Sequence, residues 1–188
     1  MKNQLYKYLN RYAKFDNVDI ELIYKNGVIQ TYDNKEFLLE QNSVCKYKYF
    51  ISKGLVRQYK VEDSGNENIS AFAIENWWIT NLDSFINETN SLNAIQALEE
   101  TTVLQITKEN LEHLYSKIPK LERAFRIISE NMLIAFQRKN ELHMNKNSEK
   151  RYYNFVEKLP NFSQRVPQYM IASYLNITPE YLSEIRKK

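Results

Sequence analysis

The sequence predicts an α+β protein: a strand-rich N-terminal half, one long helix, and a small all-α domain at the C-terminal end. Three observations carry this. Five short segments rich in β-branched and aromatic residues (36–40, 47–61, 69–75, 93–98 and 103–106) succeed one another without intervening helices, as in an antiparallel sandwich or jelly roll. From Pro119 to about His143, apolar positions recur at helical spacing. Beyond the polar stretch Asn145-Lys146-Asn147-Ser148, three short helical patterns follow in succession.

In chain order, residues 2–24 show helical spacing through Leu5, Tyr8, Leu9, Tyr12, Ile20, Ile23 and Tyr24. The period changes near residue 28, and Gly54 and Gly65 mark turns between strands. Thr107-Lys108-Glu109-Asn110 opens a short helix that Pro119 interrupts, with that proline in the first turn of the long helix. There Leu121, Phe125, Ile128, Met132, Ala135, Lys139 and Leu142 repeat at alternating steps of four and three, a heptad stripe of about three repeats. Its narrowness and the charged flanks Arg123, Arg126, Glu130, Arg138 and Glu141 favour a dimer seam over a helix lying on its own sheet. The expected organisation is 1–118 (strand-rich domain with flanking helices), 119–147 (dimer helix and hinge) and 148–188 (helical domain).

Composition narrows the function classes. No apolar run approaches the length of a membrane span, and the polar N-terminus has no secretory pattern, so a cytoplasmic protein without membrane association is expected. Cys45 is the only cysteine, which excludes an intrachain disulfide or a four-thiolate iron–sulfur site. His113 and His143 have no acidic or thiolate companion at ligand spacing, so no metal and no cofactor is expected. Glycine-rich phosphate loops and nucleophile elbows are absent, which argues against an enzyme. The net charge of +3 is placed unevenly: residues 148–188 carry seven basic and four acidic side chains, while residues 1–147 carry 19 of each. A local excess of this kind suits a polyanion.

The last two helical segments carry the most informative pattern. Ile171, Ala172, Leu175, Ile177, Leu182 and Ile185 have the spacing of an internal helix-turn-helix skeleton, with small Ala172 allowing close approach. Thr178 is suited to cap the final helix and Pro179 to occupy its first position. The outward positions of that helix are Thr178, Pro179, Glu180, Tyr181, Ser183 and Glu184, placed to meet base edges. Arg186, Lys187 and Lys188 follow as a phosphate-binding cluster, with the backbone near Gln168 contributing.

The whole order resembles the Crp/Fnr superfamily, the relatives of catabolite activator protein. Tyr49-Phe50-Ile51-Ser52-Lys53-Gly54-Leu55-Val56-Arg57 resembles a hairpin of the family's cyclic-nucleotide-binding β-roll, and Ala97-Leu98-Glu99-Glu100-Thr101 its later strand and turn. Residues 171–186 resemble its helix-turn-helix, especially the versions in which Thr178-Pro179-Glu180 opens the recognition helix. The resemblance implies an N-terminal β-roll sensor, a dimerisation helix through Leu121, Phe125, Ile128, Met132, Ala135 and Leu142, and a DNA-reading head. Double-stranded DNA at a pseudo-palindromic site, a second copy of the chain and RNA polymerase are the partners it implies.

Two departures set this chain apart from that pattern. The family's cyclic-nucleotide binders carry a Gly-Glu pair and an arginine about ten residues on, which clamp the cyclic phosphate. Here Trp77-Trp78-Ile79-Thr80-Asn81-Leu82 has no glycine, Ser91, Leu92 and Asn93 stand near the arginine's place, and residues 72–107 contain no basic side chain. Trp77, Trp78, Thr80, Asn81, Ser91 and Asn93 are therefore the candidates to line a different effector pocket, with cyclic AMP not the ligand; for the tryptophan pair, packing in the core of the roll is the more usual role. The sequence also ends within about a turn of the recognition helix, so no C-terminal wing is expected. A binding module of the same fold that no longer reads DNA is the rival reading, and the acids Glu180 and Glu184 support it. Effector identity, operator sequence and the sign of regulation are not legible.

Overall fold

Over residues 1–144, 148–158 and 162–187, which the computed structural model describes, two helices precede the strands: α1 (Lys2–Leu9) and α2 (Asn17–Lys25). The strand region runs β1 (Val28–Tyr32), β2 (Phe37–Leu39), β3 (Tyr47–Lys53), β4 (Val56–Val61), β5 (Glu67–Ala73), β6 (Trp78–Ile79), a short helix α3 (Leu82–Asn87), β7 (Ala94–Ala97) and β8 (Thr101–Thr107). The remainder is helical: α4 (Lys108–Lys117), α5 (Pro119–Met144), α6 (Ser148–Lys158), α7 (Phe162–Arg165), α8 (Gln168–Leu175) and α9 (Pro179–Lys187). The chain packs as two compact units, residues 1–60 with 71–129 and residues 61–70 with 130–188. The expected boundaries at 118/119 and 147/148 thus give way to one inside α5, and the β4–β5 tip joins the second unit.

The strands form two four-stranded sheets, in the orders β1-β8-β3-β6 and β2-β7-β4-β5. The described pairings are antiparallel, giving the double-sheet roll that the short alternating segments predict. Tyr49, Phe50 and Ile51 on β3 are successive and all buried, so this strand is covered on both faces. The Phe50 ring packs against Tyr8 of α1 and Trp78 of β6, with centroids 5.6 and 5.2 Å apart, while the Tyr49 hydroxyl donates to the Leu38 carbonyl at 2.7 Å. Between β3 and β4, Gly54 adopts φ +102°, and a Cβ there would stand 2.4 Å from the Thr101 hydroxyl and 2.7 Å from the Glu100 carbonyl. Only glycine satisfies both constraints.

The structure refines three readings in this unit. The helical spacing over residues 2–24 is divided between two helices: Asp16 and Asp19 form a reciprocal capping box that restarts the chain at α2. Strand β6 and helix α3 escape the sequence reading because each is short, and β1 because it is largely exposed and has no buried alternation. The third revision concerns the heptad stripe. Leu121, Phe125 and Ile128 belong to the core of the first unit, and Phe125 meets Trp78 edge to face at 4.9 Å. They pack on the chain's own roll and are not available to a partner. A stripe at four-three spacing suits either neighbour, so spacing alone does not distinguish them.

Candidate nucleic-acid interface

The second unit is built around α8 and α9. Met170, Ile171, Ala172 and Leu175 of α8 and Leu182 and Ile185 of α9 are buried, as the helix-turn-helix skeleton requires. Between them Asn176 takes the left-handed conformation at φ +54°, and the Ile177 N–H donates back to the Ala172 carbonyl at 3.0 Å. Asparagine tolerates that conformation better than most residues, so the sharp turn needs no glycine. Thr178 then caps α9: its hydroxyl oxygen accepts from the Tyr181 N–H at 3.2 Å. At the far end the Tyr153 hydroxyl of α6 donates to the Ile185 carbonyl at 3.5 Å, and Phe155 of α6 packs on Phe162 and Tyr174.

This packing leaves one face of α9 outward. Thr178, Pro179, Glu180, Tyr181 and Glu184 are exposed, Ser183 is half-buried, and Arg186 and Lys187 are exposed in the last turn. Gln168 is exposed at the start of α8, and Lys188 lies outside the described residues. The structure thus brings the expected base-reading and phosphate-binding residues together on adjoining turns of one helix. One member of the basic excess is withdrawn: Arg151 is buried and donates to the Ser148 hydroxyl at 2.8 Å. Among the exposed apolar residues of α5, Met132, Leu133 and Phe136 are 55, 57 and 60 % exposed, and Ala135 is exposed beside them. The Leu142 side chain is outside the described residues.

The six residues expected to line an effector pocket do not converge. Trp77 is 42 % exposed, whereas Trp78, the next residue, is buried between Phe50 and Phe125, because consecutive residues of an extended chain face opposite ways. Thr80 donates to the Tyr47 carbonyl at 3.0 Å, Asn81 caps α3 by accepting from the Ser84 N–H, and the Ser91 hydroxyl donates to the Asn93 carbonyl at 2.8 Å. These are local fastenings of the β6–α3–β7 connection. Sequence reading missed two polar groups nearby, one buried and one half-buried. The Arg57 guanidinium donates to Gln96 Oε1 from Nε and Nη2 at 3.0 and 2.8 Å and lies 3.9 Å over the Tyr59 ring. Lys48 lies 4.7 Å from the Phe125 ring centroid, where burial pulls its ammonium below the usual lysine range against the field of Glu112. Single polar residues inside an alternating strand carry no sequence signal of burial.

With this geometry in hand, the comparisons are specific. Residues 29–117 match the model of the cyclic nucleotide-binding domain. The chain is similar to the fumarate and nitrate reduction regulatory protein of Vibrio cholerae, 29 % identical over 148 residues that cover 73 % of this chain and 58 % of the relative. It is also similar to the transcriptional activator protein Anr of Pseudomonas protegens, at 25 % identity with 80 % and 65 % covered. The chain carries a cyclic nucleotide-binding-type domain and is similar, over most of its length, to regulators of the Crp/Fnr type. In fold it is similar to FixK2 from Bradyrhizobium japonicum, with a TM-score of 0.74, 18 % identity, and 86 % of this chain and 83 % of that one covered. The chain spans about three fifths of the length of the curated relatives it matches.

Proposed function

We propose that this protein is a cytoplasmic, homodimeric, sequence-specific DNA-binding transcription regulator of the Crp/Fnr type. The observation that carries the reading is α9: apolar side packed on α8, a capped first turn, and an outward face of hydrogen-bonding residues that ends in Arg186 and Lys187. The relatives named as regulatory and activator proteins support the same role. Glu180 accepts from a base-edge amino group in this reading, and Arg186 and Lys187 hold phosphates. RNA polymerase is the expected downstream partner.

The dimer contact proposed here is the exposed apolar arc of Met132, Leu133, Ala135 and Phe136 on the second half of α5, not the buried first half. A two-fold through that arc sets two recognition helices about one helical turn of DNA apart, which makes the operator a pseudo-palindrome. Cyclic AMP is not the effector, since the family's phosphate-clamping arginine is replaced by the Ser91-Leu92-Asn93 stretch. The alternative, a binding module of this fold that no longer reads DNA, draws on the exposed acids Glu180 and Glu184.

Binding of variants to a selected duplex and to random duplex over a salt series tests the proposal. Glu180→Ala relaxes discrimination at one base pair per half-site by about 1–3 kcal/mol. Arg186→Ala weakens both duplexes alike and flattens the salt slope by roughly one unit for each phosphate left without its cation. Identical salt slopes for Arg186→Ala and wild type contradict the assignment.

A further inference from the structure

The β4–β5 hairpin starts and ends in the first unit, but its tip, residues 61–70, packs with the second. There β5 is the last strand of its sheet, and a last strand presents N–H and C=O groups with no neighbouring strand to receive them. Ser173, on the first helix of the helix-turn-helix, receives two of these groups with one hydroxyl. Its Oγ accepts from the Ile69 N–H at 3.0 Å and donates to the Glu67 carbonyl at 2.9 Å. A neighbouring parallel strand would bond the same two groups, a carbonyl and the N–H two residues on, and a hydroxyl is the smallest side-chain group able to donate and accept at once. The Ile69 side chain is buried as well.

A second side chain fastens the same strand. Lys139 of α5 donates from Nζ to the Ser70 carbonyl at 3.0 Å, and its ammonium lies 3.7 Å over the ring of Tyr174, the residue after Ser173. Three segments distant in sequence (distal α5, the hairpin tip and α8) therefore meet at Ser173, Tyr174 and Lys139. Because α8 packs on α9, with Ala172 and Leu182 fully buried, fastening α8 also fixes the recognition helix within this unit. The tip itself carries Glu62, Asp63 and Glu67 within six residues.

We propose that the β5 edge is an autoinhibitory latch: Ser173 and Lys139 hold the acidic hairpin tip to the helix-turn-helix, and releasing it raises affinity for DNA. The regulatory part rests on the DNA-reading role proposed above. The latched tip keeps three carboxylates in the unit that approaches phosphates and holds α9 in one arrangement against α5. A latch closed about nine-tenths of the time lowers apparent affinity about tenfold.

Amide exchange followed residue by residue in the full chain, with Ser173→Ala, Ser173→Thr and Lys139→Met beside wild type, tests the latch without DNA. Ile69 exchanges about tenfold faster in Ser173→Ala, the factor a hydrogen bond of ordinary net strength contributes, and Thr restores the protection. Leu182 and Ile185 keep their wild-type rates, which shows the head still folded. If Ser173→Ala unfolds the head, Lys139→Met, which leaves the buried face of α8 untouched, must release Ile69 instead. Unchanged exchange at Ile69 in the folded variants overturns the latch. On a selected duplex at low salt, Ser173→Ala binds about three- to tenfold tighter, and the gain shrinks as salt screens the tip. Equal or weaker binding by a variant whose Ile69 amide has been freed overturns the autoinhibitory role. A wild type without affinity for any duplex refutes the DNA reading instead, and the exchange rates alone then decide the latch.

Discussion

Introducing a glutamate at two positions of α5 separates the helix's two halves. Ile128 is 5 % exposed and belongs to the core of the first unit with Leu121 and Phe125, so Ile128→Glu places a carboxylate among apolar side chains. Losing a buried isoleucine costs about 2–5 kcal/mol, and an unpaired buried carboxylate adds to that or protonates. Against a typical total stability of about 5–15 kcal/mol this is a large share. For a chain of this size each kcal/mol moves Tm by about 2–4 °C, so a loss of about 4 kcal/mol lowers Tm by roughly 8–16 °C. Phe136→Glu alters a side chain that is 60 % exposed, and Tm of the monomer is left nearly unchanged. Sedimentation velocity and thermal denaturation, each over a concentration series, read both effects. Wild type sediments as a dimer at tens of micromolar, Phe136→Glu as a folded monomer, and Ile128→Glu is destabilised. A folded Ile128→Glu monomer with wild-type Tm, beside a Phe136→Glu that remains dimeric, would falsify this division of the helix.

Three further outcomes are expected. Burial pulls the Lys139 ammonium down to about 8, while the Tyr174 ring and the Ser70 carbonyl favour its charged form. Since the folded chain releases this proton before the unfolded chain does, the penalty is fully present below about 8 and is relieved as pH rises toward the ordinary lysine value. The stability of Lys139→Met relative to wild type should therefore fall between pH 7 and pH 10, and a constant difference in chemical denaturation contradicts it. Thr178→Ala removes the cap on α9 and should cost about 1 kcal/mol, visible as faster amide exchange at Tyr181 with the Ile171 amide unchanged. Isothermal calorimetry with cyclic AMP should show no saturable binding, and a micromolar dissociation constant would overturn the reading of the Ser91-Leu92-Asn93 stretch.

The legible parts of this fold are those in which side-chain type and backbone geometry agree. Val56, Tyr59, Ile69 and Phe72 mark strands by their branched and aromatic side chains, and Pro119 and Thr178-Pro179 mark helix starts by chemistry that suits few other places. The helix-turn-helix is legible because its buried positions are fixed relative to one another by one tight turn. Packing between segments far apart in sequence is not. Leu121, Phe125 and Ile128 show the same periodicity whether they face their own sheet or a second copy. Arg57 and Lys48 look like solvated strand residues until the tertiary packing buries the first and half-buries the second. Neither Ser173 nor Lys139, though the latter stands in the heptad stripe, announces its partner locally, since those partners are backbone groups of residues 67–70. Trp77 and Trp78 suggest a pocket wall only as long as adjacency in sequence is equated with adjacency on a face.

The central claim is that two copies of α9 read one DNA site. Selection of wild-type binders from a random duplex pool, followed by affinity measurement on the enriched sequence with half-site spacing and salt varied, tests it most directly. The expected result is a pseudo-palindrome with half-sites centred about 34 Å, or about 10 base pairs, apart. Affinity should fall steeply when about five base pairs are inserted between the half-sites, which turns the second onto the opposite side of the duplex, and should decrease linearly in log–log form with salt. No enriched sequence and no salt-dependent affinity for any duplex would contradict the account and leave the binding-module reading in its place.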